Sequence, residues 1–269
     1  MGLARASVRA LLLALISALA LVAGLLGAVP RLLGPAGDRL SLRMVLLFQR
    51  LWCRGALAIL GVRVTARGAP PSDACVLVSN HLSYLDIALL GAAMRVRFVS
   101  KAEVARWPGI GWLAQLARVV FVRREERRDL LRVGDELRRT LAAGISVAFF
   151  PEGTSTCGLG VRTFHAGLLQ PAAEAGLPCL PVAIRYETPA DAPAPSECVC
   201  WWGDMTFPPH LWRLMTLRGV QAGIHWGDAP RRGDDRKRLA AGLHADVSAR
   251  FVPVRQASPA PAAELVAPR

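Results

Sequence analysis

At 269 residues the chain is long enough to bury a real core, as one large domain or two small ones. Hydrophobic residues make up 53% of it, a high share for a freely soluble protein. The formal net charge of +13 comes with only 6% aromatics and no recognisable nucleic-acid module, which sets nucleic acid aside and favours anionic lipid as the partner.

The first element is an uncharged apolar run, "ALLLALISALALVAGLLGAV" (residues 10–29), preceded by Arg5 and Arg9 and ended by Pro30 and Arg31. As a helix it reaches about 30 Å, one hydrocarbon thickness. A cleaved secretory signal is the rival, because "SALA" supplies small residues, but the run is longer than a typical signal core. Next, "SLRMVLLFQRLWCRGALAIL" places Arg43, Arg50 and Arg54 on one stripe of a helix, with leucines over much of the rest. That suits a helix lying on a membrane surface with its arginines towards lipid phosphates; a buried helix with snorkelling arginines gives the same pattern.

Alternating elements follow. Strands are predicted at Cys75–Val78, Val96–Val99, Val119–Val122, Ser146–Phe150, Leu180–Tyr186, Cys198–Trp202 and Ala222–Trp226. Helices are predicted at Asp86–Met94, Trp107–Leu116, Asp129–Ala143 and Phe164–Ala175. Helices between strands give an α/β fold, a mixed and mostly parallel sheet flanked by helices, behind an N-terminal membrane-associated helical region. The expected division is a helical region at 1–60, a catalytic domain at 61–254 and a disordered tail at 255–269, where proline and alanine dominate. The six cysteines are scattered without zinc-ligand spacing, so free thiols are expected.

Three segments carry chemistry. In "VLVSNHLSYLDIALL" (residues 76–90) an apolar strand ends at Ser79, Asn80 and His81, with Asp86 close behind. On an unbroken helix, residues five apart diverge by about 140°. They meet only if His81 sits in the strand-to-helix turn and Asp86 on the first helical turn, with Asn80, Ser83 or Ser79 as cap. A carboxylate on Nδ1–H would then leave Nε2 to take a proton from an alcohol. In "FFPEGTSTCG" a strand runs into Glu152, Gly153, Thr154 and Ser155 at its C-terminal edge, where α/β folds place their sites. Gly153 permits close backbone approach, and the hydroxyls suit an anionic group. Pro and Gly are explained by a tight turn alone, but the carboxylate between them is not. A third stretch, "RVVFVRREERR", sets Arg123 and Arg124 directly after a buried-looking strand, where an arginine can grip phosphate.

"NHLSYLD", the strand-arginine and "FPEGTS", in this order and followed by a Pro-Val strand, resemble the glycerolipid acyltransferase family, which includes the 1-acylglycerol-3-phosphate acyltransferases. The resemblance covers about residues 60–226. It implies a membrane enzyme, at the inner or cytoplasmic membrane with its catalytic domain facing the cytoplasm. Such an enzyme moves an acyl chain from acyl-CoA or acyl carrier protein to the free hydroxyl of a lysolipid. By that pattern His81 is the general base and Asp86 its orienting partner. Asn80, Ser83, Arg124, Glu152, Gly153, Thr154 and Ser155 contribute to substrate binding. No metal or bound cofactor is implied; the acyl thioester is a co-substrate.

The pattern points first to 1-acylglycerol-3-phosphate, giving phosphatidic acid. The alternative is O-acylation of a lyso-ornithine lipid or another lyso-aminolipid, and a distant one is a non-catalytic lipid-binding protein. Three departures bear on the acceptor. Ser155 stands where many members have arginine, Arg118 where glycine often begins the strand motif, and His165 where lysine is frequent. Arg118, Arg123 and Arg162 are the expected substitutes for the missing charge. "WWGDMTFPPHLW" (residues 201–212) looks like a segment from a bacterial branch that includes lyso-ornithine lipid enzymes; packed on the core, it would be simply an aromatic-rich turn.

Overall fold

The structure, a computed structural model, describes residues 2–107, 110–123 and 126–256. Two long helices come first, α1 (Gly2–Ala28) and α2 (Gly34–Leu60), joined by a 3-10 turn over Val29–Leu33. Proline opens both the turn and α2, where a missing N–H costs nothing. The reversal is tight: a Cβ on Gly37 would overlap the Pro30 carbonyl, so only glycine fits there.

Seven strands follow: β1 (Val62–Arg67), β2 (Val76–Ser79), β3 (Val96–Lys101), β4 (Val120–Val122), β5 (Ser146–Phe149), β6 (Cys179–Glu187) and β7 (Val220–Trp226). They form one sheet in the order β1-β7-β6-β2-β5-β3-β4. All neighbours are parallel except β6 and β7. The remaining helices are α3 (Leu85–Ala93), α4 (Ile110–Leu116), α5 (Arg127–Ala142), α6 (Ala166–Glu174), α7 (Pro195–Cys198), α8 (Phe207–Thr216) and α9 (Arg236–Arg250). The sheet divides the core in two. One apolar cluster joins it to α1, α2, α3 and α8, the other to α5, α6 and α9.

The α/β reading of the sequence holds, with specific differences. β1 and α9 carry too little apolar periodicity to be read in advance, since β1 buries only Val62 and α9 is polar on most of its surface, while α8 falls partly in the segment read as an aromatic-rich turn. The strand expected over Cys198–Trp202 is instead the end of α7 and a loop. Pro195 opens that helix, and its carbonyl accepts from the amides of Val199 and Cys200, so these residues close on a turn rather than on a neighbouring strand. All six cysteines are buried and none is in a disulfide among the described residues. Most of the tail expected from residue 255 lies outside the described residues; Arg255 and Gln256 still bond to the carbonyls of Ala192 and Cys157.

The N-terminal arginines act as helix caps. Arg5 and Arg9 donate to the carbonyls of Met215, Thr216 and Leu217 at the end of α8. Arg50 and Arg54 donate to Ala92 and Ala93 at the end of α3. The last carbonyls of a helix lack partners within it and carry the negative end of its dipole, so guanidinium groups satisfy both. Of the stripe read as facing lipid phosphates, Arg50 and Arg54 are thus turned onto the protein and Arg43 is exposed. The outer face of α1 stays uncovered: Leu11 is 72% and Leu19 60% exposed. By length and composition this helical region can cross a membrane.

Candidate active site

β2 and β5 lie side by side and parallel, with Val78 opposite Phe149. His81 and Glu152 therefore leave the sheet in step, at the C-terminal edge where parallel strands open into loops. A side chain continues the pairing: the His81 amide donates to Glu152 Oε1 at 2.7 Å. On the next residue side, the Thr156 amide donates to the His81 carbonyl at 3.0 Å. The Glu152–Thr156 loop thus holds the backbone of His81 from both ends.

After His81 the chain turns at once into α3, which puts Asp86 in the first helical turn and fully buries it. Asp86 Oδ2 accepts from His81 Nδ1 at 2.7 Å, from the Leu82 amide at 2.7 Å and from the Ser83 amide at 3.0 Å. Its Oδ1 accepts from the Tyr186 hydroxyl at 2.6 Å. An ionised carboxylate can only accept, so Nδ1 must carry the proton and Nε2 the lone pair. Burial, and after it the Asp86 charge, push the Tyr186 hydroxyl well above its ordinary range, which keeps it a donor. The imidazole stacks on Phe150, with ring centroids 4.1 Å apart and planes 12° from parallel, and its side chain remains 19% exposed. Two contacts, one at the edge and one on the face, fix the ring.

Glu152 is buried and accepts at Oε2 from the Arg162 amide at 3.0 Å. Burial outweighs its two backbone donors and pushes its pKa up to about 8. Asn80 is also turned inward. Its side-chain amide donates to the Ile184 carbonyl and its oxygen accepts from the Ile184 amide, as a peptide group of β2 would. The Ser83 hydroxyl accepts from the Leu85 amide at 3.4 Å and so supports the first turn of α3. Ser79 keeps a buried hydroxyl without a partner among the described residues. Gly153 sits at φ 75°, the left-handed conformation that glycine tolerates. Thr154 is exposed, and the Ser155 hydroxyl donates to the Trp201 carbonyl.

Arg124 lies outside the described residues. Among the other candidate cations, Arg118 pairs with Asp38 at 3.1 Å and Arg123 with Glu126 at 3.2 Å. Arg162 stands beside Glu152, near enough for its charge to oppose the rise in that pKa. The amides of His81, Leu82 and Ser83 are all engaged by carboxylates, which leaves none of the three to bind an oxyanion. Among the described residues no cluster of three His, Cys, Asp or Glu side chains could hold a metal.

Tyr186 and Phe150 escaped the reading of the sequence as site residues. Tyr186 left a trace, since it ends the apolar face of β6 after Val182 and Ile184, but a strand pattern does not say which helix its tip meets.

Comparison with known proteins identifies the family and the fold. A family model described as Acyltransferase matches residues 61–185. A lyso-ornithine lipid O-acyltransferase of Pseudomonas aeruginosa is 39% identical over 211 residues, covering 77% of this chain and 78% of the relative. A 1-acyl-sn-glycerol-3-phosphate acyltransferase of Neisseria gonorrhoeae is 38% identical over 169 residues, covering 61% and 64%. The crystal structure of the 1-acyl-sn-glycerophosphate acyltransferase of Thermotoga maritima shares the fold, with a TM-score of 0.64 at 20% identity over 92% of this chain and 96% of that one. The chain belongs to the acyltransferase family. Its activity is acyl transfer to lysolipids.

Proposed function

We propose that this enzyme is membrane-associated and transfers an acyl chain from the thioester of coenzyme A or acyl carrier protein directly to a lysolipid hydroxyl, with His81 as general base. The observation that carries the reading is the carboxylate of Asp86, buried and saturated with donors, holding Nδ1 of His81 at 2.7 Å. Nε2 takes the hydroxyl proton as the alcohol oxygen bonds to the thioester carbon. Asp86 stabilises the imidazolium that forms. As the tetrahedral intermediate collapses, the carbon–sulfur bond breaks and the departing sulfur takes the proton from His81. The products are an ester and a free thiol, and no acyl-enzyme is needed. Glu152 and Asn80 act here by positioning, Glu152 on the His81 backbone and Asn80 on β6. Gly153 and Thr154 offer an open backbone and a hydroxyl to the acceptor. The uncovered apolar face of α1 supports residence at a membrane, where both lipid substrates dissolve.

For the acceptor we favour a lyso-ornithine lipid or a related amino-acid lipid. The relative covered over the greater share of its length is of that kind. Among the described residues Ser155 spends its hydroxyl on Trp201, and Arg118 and Arg123 are held in ion pairs rather than turned to a phosphate. The Neisseria relative and the position of Arg162 support 1-acylglycerol-3-phosphate as the second reading. Labelled acyl-CoA and acyl carrier protein, each offered with lyso-ornithine lipid, 1-acylglycerol-3-phosphate and other lysophospholipids, would separate the readings. The proposal expects the diacyl product with lyso-ornithine lipid; free fatty acid as the sole product with every acceptor would make the protein a thioesterase instead.

A further inference from the structure

The aromatic segment at residues 201–212 is tied to both motifs of the site. The Trp201 amide donates to the Leu82 carbonyl at 2.8 Å, next to His81, and the Trp201 carbonyl receives the Ser155 hydroxyl. Tyr84 and Trp201 each meet Phe207 edge to face, and Tyr84 hydrogen-bonds the buried His210 at 3.0 Å. After Trp201 the chain makes a small rigid turn. The Trp201 indole donates to the Met205 carbonyl at 2.7 Å, the Met205 amide to the Trp202 carbonyl at 3.3 Å, and Gly203 sits at φ 60°. At the tip of that turn is Asp204, exposed. Among the described residues neither its carboxylate nor the guanidinium of Arg162 lies within 4 Å of an opposite charge, although the Arg162 charge still acts on the nearby Glu152 carboxyl. Both are tied to the Glu152–Ser155 loop: Arg162 through its amide to Glu152, and the Asp204 turn through Trp201 to Ser155.

We propose that Asp204 and Arg162 select a zwitterionic amino-acid headgroup, Asp204 taking the ammonium of the acceptor and Arg162 its carboxylate. The inference rests on the amino-acid lipid reading above and assigns it residues. A phosphate monoester brings about two negative charges and no positive one. Near Asp204 it meets like charge, so the same side chain that attracts one acceptor repels the other. The anchoring of the turn matters as much as its charge, because a carboxylate on a braced loop loses little freedom on binding. A neighbouring aromatic cluster also suits an ammonium better than a phosphate.

The test compares wild type, Asp204→Asn, Asp204→Lys and Arg162→Gln on lyso-ornithine lipid and on 1-acylglycerol-3-phosphate, in mixed micelles with one acyl donor, after thermal melts establish that each variant is folded. Asp204→Asn should raise KM for lyso-ornithine lipid about three- to tenfold, the size of a partly exposed ion pair, and Asp204→Lys should raise it further. For 1-acylglycerol-3-phosphate, both should lower KM. Arg162→Gln should raise KM for both, since both acceptors are anionic at that end. KM shifts of the same sign for both acceptors in the Asp204 variants, or no shift with lyso-ornithine lipid, would overturn the assignment while leaving the acceptor reading intact. A wild-type enzyme that never turns over lyso-ornithine lipid would overturn that reading, and the assignment with it.

Discussion

Tyr186 shows how much of the catalytic geometry is set by a residue that never meets substrate. Its hydroxyl is the donor to Asp86 Oδ1, and no other is seen there among the described residues. Tyr186→Phe should keep the fold, leave one buried carboxylate oxygen unpaired at a cost of about 1–3 kcal/mol, and slow turnover about tenfold as the imidazole loses its fixed partner; steady-state kinetics beside a thermal melt would measure both. Glu152 makes a prediction of a different kind. Its pKa rises from 4.5 in the ordinary case to about 8 in the fold. Across that window the folded chain keeps a proton that the unfolded chain has released. The contribution of Glu152 to stability should therefore fall as pH climbs from 4.5 to 8 and level off above it. Glu152→Gln has no such proton, so the stability of wild type relative to this variant should decline over the same window in denaturant titrations. A flat difference would mean that the carboxylate is ionised throughout.

Among the elements, α2 and α3 pack unusually close where Gly91 faces Cys53. A Cβ on Gly91 would lie 2.7 Å from the Cys53 sulfur. Gly91→Ala should cost about 1–3 kcal/mol through overpacking, and Cys53→Ala in the same chain should recover part of it, as a double-mutant cycle of melting temperatures would reveal. This contact also explains what the sequence did and did not disclose. The strand-turn-helix around His81 was legible because an apolar run, a polar turn and Asp86 stand in local order, and the structure brings the pair within 2.7 Å. The step from Phe149 to Glu152 was legible for the same reason. Contacts between distant segments were not: Asn80 bridging to Ile184, Tyr186 reaching Asp86 and Trp201 bonding Leu82 depend on strand order, which no local pattern carries. The arginine stripe of α2 left two readings open for a related reason, since it reads alike whether it faces lipid phosphates or is turned onto the protein, as Arg50 and Arg54 are.

For the molecule as a whole, the uncovered leucines of α1 run alongside a catalytic domain whose substrates are themselves lipids. Replacing Leu15 and Leu19, both more than half exposed, with aspartate should cost several kcal/mol of membrane affinity and move the protein out of floated vesicles. Flotation indifferent to both substitutions would place the membrane contact elsewhere. The central claim is narrower and is tested most directly by the turnover of purified, folded His81→Ala with a labelled acyl thioester and its best lysolipid. If His81 is the base that Asp86 aims, the variant should lose about 10² to 10⁴ of the rate while melting as wild type does. A folded His81→Ala enzyme that turns over at the wild-type rate would contradict it.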